Sequence, residues 1–250
     1  MSQSYWLSPD ANHAERDAFA SLESAAAIRG TLINESKLSH LTRVEVSGKR
    51  YYVKVYHYAG RNLRRFVGRS RVRSEWRNQR RFGDFGIPSA RIVAFGEKSG
   101  LPGNRQGVIV TEEVPDSIDL FELARSEPAR LADRRWVNLV IDRLARHVRS
   151  MHSHRFVHND LKWRNILVDF SKCPEVYIID CPLGRTLFGP LLHRGITKDL
   201  ACLDRVAKRL LSRSQRLRFF KSYHQTDKLT DEQRQQMKQI LRFFDGREQG

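Results

Sequence analysis

Between residues 40 and 56 apolar and polar positions alternate twice, over His40-Leu41-Thr42-Arg43-Val44-Glu45-Val46 and again over Arg50-Tyr51-Tyr52-Val53-Lys54-Val55-Tyr56, with Ser47-Gly48 between them. Two period-2 runs joined by a Ser-Gly pair predict a β-hairpin. Its second strand carries Lys54 between Val53 and Val55. From about residue 70 to 82 the composition is helical, and the helix is expected to stop before Gly83 and Gly86-Ile87-Pro88. Strand-like runs follow at 90–95 and 107–114, parted by a Gly- and Pro-containing loop at 96–103. Then the period changes. Over 131–153 the residues Trp136, Leu139, Val140, Leu144, Val148 and Met151 fall on one stripe, which predicts a long amphipathic helix. Phe156-Val157 leads into a short loop, after which Ile166-Leu167-Val168-Asp169 and Val176-Tyr177-Ile178-Ile179 read as short apolar strands. Helices are expected at 198–211 and from Asp231, where Thr230 and Gln233 suit a capping box and Met237, Ile240, Leu241 and Phe244 a buried stripe. A β-rich first part with one helix, then a helix-rich second part, is an α+β arrangement of two lobes, residues 1–113 and 114–250. A hinge is expected near 112–115.

Composition changes this picture mainly through charge. The 250 residues are 40% hydrophobic and 10% aromatic, enough for a buried core. No run reaches the ~18 apolar residues of a membrane span. The N-terminal residues lack the basic head and apolar run of a secretory signal. Three cysteines, Cys173, Cys181 and Cys202, include no Cys-x-x-Cys pair, which fits a reducing compartment and makes the cytoplasm the expected location. The net charge of +17 calls for an anionic partner: nucleic acid, an acidic membrane or an anionic substrate. Nine arginines lie between 61 and 81 with Glu75 as the one acid, and seven Lys or Arg lie between 205 and 221 with none. A solvated helix face is the plain explanation for each run; two in one chain favour an anion-facing surface.

Phosphoryl transfer asks a protein to hold a triphosphate, neutralise its charge and place the attacking hydroxyl beside a base. Asp160 stands in a short loop between a long helix and a hairpin, where a carboxylate can take that proton. Lys162 can neutralise the transferring group, and Asn165 can offer an amide oxygen to a hard cation. Asp180 ends the next strand, where a carboxylate can bridge a metal to phosphates. By itself His-x-Asp-x-x-x-x-Asn also reads as a surface turn with Asp160 as a cap, but the helix before it, the hairpin after it and Ile178-Ile179-Asp180 at its interval weigh against that reading.

His158-Asn159-Asp160-Leu161-Lys162-Trp163-Arg164-Asn165 resembles the His-Arg-Asp-Leu-x-x-x-x-Asn catalytic loop of protein kinases. The resemblance implies a two-lobed protein-kinase-like fold, with a small β-rich first lobe and a helical second. It makes Asp160 the base, with Lys162 beside it, and Asn165 and Asp180 the metal ligands. It implies ATP and Mg2+ as cofactors. Tyr52-Val53-Lys54-Val55 is similar to the Val-Ala-Ile-Lys strand, so Lys54 would hold the α- and β-phosphates and pair with Glu75. Glu112 and Val114, at the hinge, join them as nucleotide contacts, and Asp199 would hold the catalytic loop's backbone.

Within that superfamily the chain resembles bacterial lipopolysaccharide core kinases, which phosphorylate heptose or Kdo, over roughly 29–211. The short Gly-poor first hairpin carries the likeness, with Tyr51-Tyr52-Val53-Lys54-Val55, the run from Phe85 to Gly96, and Lys198-Asp199-Leu200-Ala201. There are departures. No Gly-x-Gly-x-x-Gly precedes Lys54, and the equivalent loop, 34–39, has no glycine. Asn159 replaces an arginine, Asp180-Cys181-Pro182 replaces Asp-Phe-Gly, and no Ala-Pro-Glu follows. Such trimming implies a small-molecule or glycolipid kinase. The implied function is ATP-dependent phosphorylation of a sugar hydroxyl of the inner core, by a peripheral protein at the cytoplasmic face of the inner membrane. Its partners would be the core glycolipid and the anionic membrane surface, with the 61–81 run and its Phe66, Val67 and Trp76 at the headgroups. No obligate protein partner is inferred. The alternatives are a kinase of the same fold acting on protein or associated with tRNA, a pseudokinase, and a plain nucleic-acid-binding module.

Overall fold

Six strands form one antiparallel sheet in the first part of the chain. They are β1 (Ser2–Leu7), then, after helices α1 (His13–Ala18) and α2 (Leu22–Ala27), β2 (Thr31–Glu35), β3 (Ser39–Val46) and β4 (Lys49–Tyr56). Helix α3 (Arg71–Asp84), β5 (Ile92–Ser99) and β6 (Arg105–Glu112) complete it, in the spatial order β1-β5-β6-β4-β3-β2. The computed structural model describes residues 2–57, 70–99 and 105–245. The expected hairpin is β3–β4, with Val46 opposite Lys49. Ser47 and Gly48 turn it with φ of 50° and 77°, the paired left-handed conformation that matches the twist of two-residue hairpins.

Alternation along β4 divides its side chains between two faces. Tyr51 and Val53 pack with Phe19, Leu22, Ala25, Val93 and Val108 under α1 and α2. Tyr56 packs on the other face with Val72, Ile92, Phe95 and Ile109. There Trp76 of α3 stacks on Phe95, 4.7 Å between ring centres. Trp76 was expected at a membrane headgroup; it is held instead by Phe95 and Trp6. Arg61, Arg64, Arg65, Phe66, Val67 and Arg69 lie outside the described residues.

The second part contains β7 (Ser117–Asp119), α4 (Leu120–Ser126), α5 (Pro128–Ala132), α6 (Arg134–Ser153), β8 (Phe156–Val157), β9 (Ile166–Asp169), β10 (Val176–Ile178) and β11 (Arg185–Thr186). Three helices end it: α7 (Gly189–Leu210), α8 (Arg213–His224) and α9 (Asp231–Arg242). The core gathers on α6, where Trp136, Val140, Leu144, Val148 and Met151 are buried as expected, with Val137 and Ile141 beside them. β9 pairs with β10 as a hairpin, and β8 with β11.

Two compact units result, 1–80 with 90–114 and 81–89 with 115–250. Residues 81–89, assigned from sequence to the first lobe, belong to the second unit because Phe82, Phe85 and Ile87 are part of its core. That anchoring also carries α3 through Gly83, where a stop was expected. The helix expected over 131–153 is broken at Asp133, whose carboxylate caps α6 by accepting from Arg135 N and Trp136 N. Helix α7 begins nine residues before the expected 198, with Pro190 in its first turn, a position where proline's missing N–H costs nothing. Thr230 and Gln233 form the expected capping box, but Leu241 is 50% exposed and only Ile240 of the expected stripe is buried.

Candidate active site

In the first unit, Lys54 and Glu75 meet. The Lys54 ammonium donates to both Glu75 oxygens at 3.2 and 3.1 Å, and both side chains are largely buried. Tyr56, two residues along the strand on the same face, also donates its hydroxyl to Glu75. Its role was missed because in sequence Tyr56 is merely the next member of the alternation. Glu112 belongs to a different network. Its carboxylate takes Lys49 at 3.0 Å and Arg91 at 2.6 Å, and its N–H donates to Arg91 O. Burial pushes its pKa up, yet the Arg91 and Lys49 partners outweigh this and hold it below the usual carboxylate range. Val114, at the end of the first unit, is half-buried. The loop at 36–38 is fastened by Ser36, whose hydroxyl accepts from Leu38 N and Ser39 N.

In the second unit, α6, the β9–β10 hairpin and α7 together set the loop at 158–165. Asp199 of α7, fully buried, accepts His158 N at 2.7 Å and Asn159 N at 2.8 Å, one on each oxygen. This is the backbone support expected of Asp199. Lys198 adds a tie, its ammonium 2.6 Å from Asn159 O, and Asn159 donates its own amide to Leu183 O. Neither was found from sequence, since each depends on which backbone atoms the helix meets. Asn165, buried, donates its amide to Asp160 O at 2.9 Å. The Lys162 ammonium lies 2.6 Å from Asp160 Oδ1. Asp180 follows β10, and the preceding Ile179 N donates to Asn165 O, so the strand end and the loop are one structure.

His158 is buried between these groups, with Nε2 3.2 Å from Ile179 O. Burial pulls its pKa down despite the nearby Asp199, so the ring is neutral and donates to that carbonyl. Asn159 and Asp180 have φ of 66° and 56°. Left-handed backbone is uncommon outside glycine and most tolerated by Asn and Asp, and such strain gathers at functional sites. Asp160, Lys162, Asn165 and Asp180 thus come together in one unit, while Lys54 and Glu75 come together in the other.

A sheet with a buried lysine–glutamate pair, followed by a helical unit whose Asp-x-x-x-x-Asn loop hangs from a helix aspartate, is a protein-kinase-like fold. A solved structure described as WaaP in complex with acyl carrier protein matches 94% of this chain and 92% of its own, with a TM-score of 0.72 and 25% identity. The lipopolysaccharide core heptose(I) kinase WaaP of Pseudomonas aeruginosa is 28% identical over 222 residues, 83% of this chain and 81% of that protein. Its namesake from Escherichia coli K12 is 28% identical over 156 residues, 58% of this chain and 56% of that protein. The family model for the lipopolysaccharide kinase (Kdo/WaaP) family matches residues 13–223, and the chain belongs to that family. It is a kinase. The expectation of no obligate protein partner draws no support from a neighbour solved with one. Among the described residues no helix is long and apolar enough to cross a membrane.

Proposed function

We propose that this chain transfers the γ-phosphate of ATP, with Mg2+, to a sugar hydroxyl of the lipopolysaccharide inner core, working peripherally at the cytoplasmic face of the inner membrane. The observation that carries the reading is the loop bearing Asp160, anchored through Asp199 and Asn165 in a chain of this family. Asp160 takes the proton of the attacking hydroxyl, and Lys162 offsets the charge of the transferring group. Lys54, oriented by Glu75, holds the nucleotide's phosphates. Glu112 and Val114 contact the nucleotide through their backbone, since the Glu112 carboxylate is committed to Lys49 and Arg91.

Asn165 and Asp180 would hold the metal. Their donor set, an amide oxygen and a carboxylate, suits a hard cation whose other ligands are phosphate oxygens and water. Among the described residues no three His, Cys, Asp or Glu cluster to hold an ion without such help. Bound there, Mg2+ supplies neutralisation of phosphate charge. Mass spectrometry of core oligosaccharide from cells with and without the protein tests the proposal. A single missing phosphate is expected, and identical oligosaccharides would refute it.

A protein partner fits one feature of the second unit. A cavity of about 390 Å³ opens among Leu120, Trp136, Leu144, Trp163, Leu203 and Ile240, with Arg213 and the Arg216–Asp204 ion pair also in its lining. An apolar pocket with Arg213 at its side suits an acyl chain on an acidic carrier, so binding of acyl carrier protein is inferred for this chain too. Purified acylated carrier should bind in calorimetry and the unacylated form more weakly; equal affinities would exclude the cavity from the contact.

A further inference from the structure

Leu183, Phe188 and Leu191 are 41%, 62% and 65% exposed, three large apolar side chains left to solvent in a segment joined directly to the candidate site. Between Asp180 and Asp199 the sequence has no acidic residue, while Arg185, His193, Arg194 and Lys198 all fall there. Arg155, also exposed, places its guanidinium over the Phe188 ring, 5.3 Å from its centre. The exposure does not come from a loose loop. Leu183 O accepts from Asn159 Nδ2 at 3.0 Å, Leu187 N donates to Arg155 O at 2.9 Å, and Arg185 and Thr186 pair with β8. Leu191 and Arg194, three apart on α7, share a face, and Phe188 enters from the residue before the helix.

Held rigid in water, such side chains gain nothing from their exposure. Against a bilayer they are complementary, the apolar groups entering the acyl boundary and the cations meeting headgroup phosphates. We propose that residues 183–194 with Arg155 dock on an anionic lipid bilayer and thereby hold the Asp160 loop beside a sugar that stands on that membrane. The purpose of this surface rests on the sugar-kinase reading; its existence rests on exposure and charge alone.

Flotation of the full chain with vesicles of equimolar phosphatidylglycerol and phosphatidylcholine tests it. Phe188→Ser with Leu191→Ser should weaken binding about tenfold or more. Arg185→Gln with Arg194→Gln should weaken it comparably and flatten its salt dependence. The apolar double variant should keep wild-type turnover on a soluble, lipid-free heptose acceptor while losing turnover on acceptor embedded in vesicles. Undiminished flotation of both variants would overturn the proposal, as would equal loss on the soluble acceptor, which would place these residues in the acceptor site instead. A wild-type dimer that the apolar variant abolishes, without flotation, would overturn it in favour of self-association. A wild type that floats yet phosphorylates neither heptose nor Kdo of the inner core would leave docking standing and refute the sugar-kinase reading.

Discussion

Asp160→Ala removes a half-buried carboxylate from a loop whose shape other residues set, Asp199 through its backbone and Asn165 through its carbonyl. The substitution is therefore expected to cut phosphoryl transfer ~10²–10⁴-fold while thermal unfolding and ATP binding stay near wild type. Near-wild-type turnover would mean that another group takes the proton. Asp180→Asn is expected to weaken MgATP binding more than Asn165→Ala does, because a full charge is lost to the cation in one case and an amide dipole in the other. Calorimetric titration compares them, and a larger loss for Asn165→Ala would reverse the two roles. The pairing of Lys54 with Glu75 and the gathering of Asp160, Asn165 and Asp180 in one unit were legible in the sequence, because the proposed chemistry demands a residue type at a spacing. Tyr56, Lys198 and Asn159 were not legible in their roles. A tyrosine in an alternating strand shows no hydrogen-bond partner until the facing helix is in place, and the tie of Lys198 to Asn159 O exists only once α7 has met the loop.

Helix α7 links the site to the rest of the second unit. Asp199→Asn keeps the side chain's size but turns an NH2 group towards one of two backbone donors, so one charge-assisted bond is lost. The expected cost is about 1.5–3 kcal/mol of stability in urea unfolding, with a fall in kcat and little change in ATP affinity. Unchanged kcat would show that the loop holds its shape without this anchor. Packing tells the same story at Gly184, where an added Cβ would lie 2.4 Å from Cys181 Sγ and 2.6 Å from Phe156 Cζ. Gly184→Ala should therefore lower the unfolding temperature, and a variant as stable as wild type would mean that this stretch can shift outward. The strands and the long helix were legible because period-2 and period-3.6 burial is written in the order of residues. Helix limits were not. Asp133 reads as one more polar position but caps two orphan N–H groups, and Gly189-Pro190 reads as a break but forms a helix start. β1, α1, α2 and β2 went unforeseen because their short segments carry little periodicity.

Histidines whose pKa burial lowers contribute to the pH response of the whole molecule, the buried His158 and the half-buried His147 and His224 among them. Burial lowers the pKa of His147, outweighing Glu175 beside it, and lowers that of His224, outweighing its bond to Gln236. With folded pKa values below the unfolded value of about 6.5, the unfolded chain binds more protons as pH falls through that window. Stability is then highest above it and declines below, so the urea midpoint at pH 5.5 should lie under that at pH 7.5. A higher midpoint at pH 5.5 would reverse the sign. The charge excess of +17 was legible from composition, but its arrangement was not. Arg73 is spent on Glu97, Arg216 on Asp204 and Arg218 on Asp142, and Arg81 donates to the Thr186 hydroxyl, so part of each basic run neutralises the protein's own acids.

The bonds from Asp199 to His158 and Asn159 span 41 and 40 positions of chain. A ribosome therefore finishes Asp160, Asn165 and Asp180 before it makes the residue that shapes their loop. At ~5–20 residues per second, the interval between loop and anchor is roughly 2–8 s. During that time the nascent chain has the side chains of the proposed site but no fixed place for them, and so should catalyse no phosphoryl transfer. A message truncated after residue 190 is expected to yield a product with Asp160, Asn165 and Asp180 intact and no turnover, since the aspartate that fixes their loop is never made.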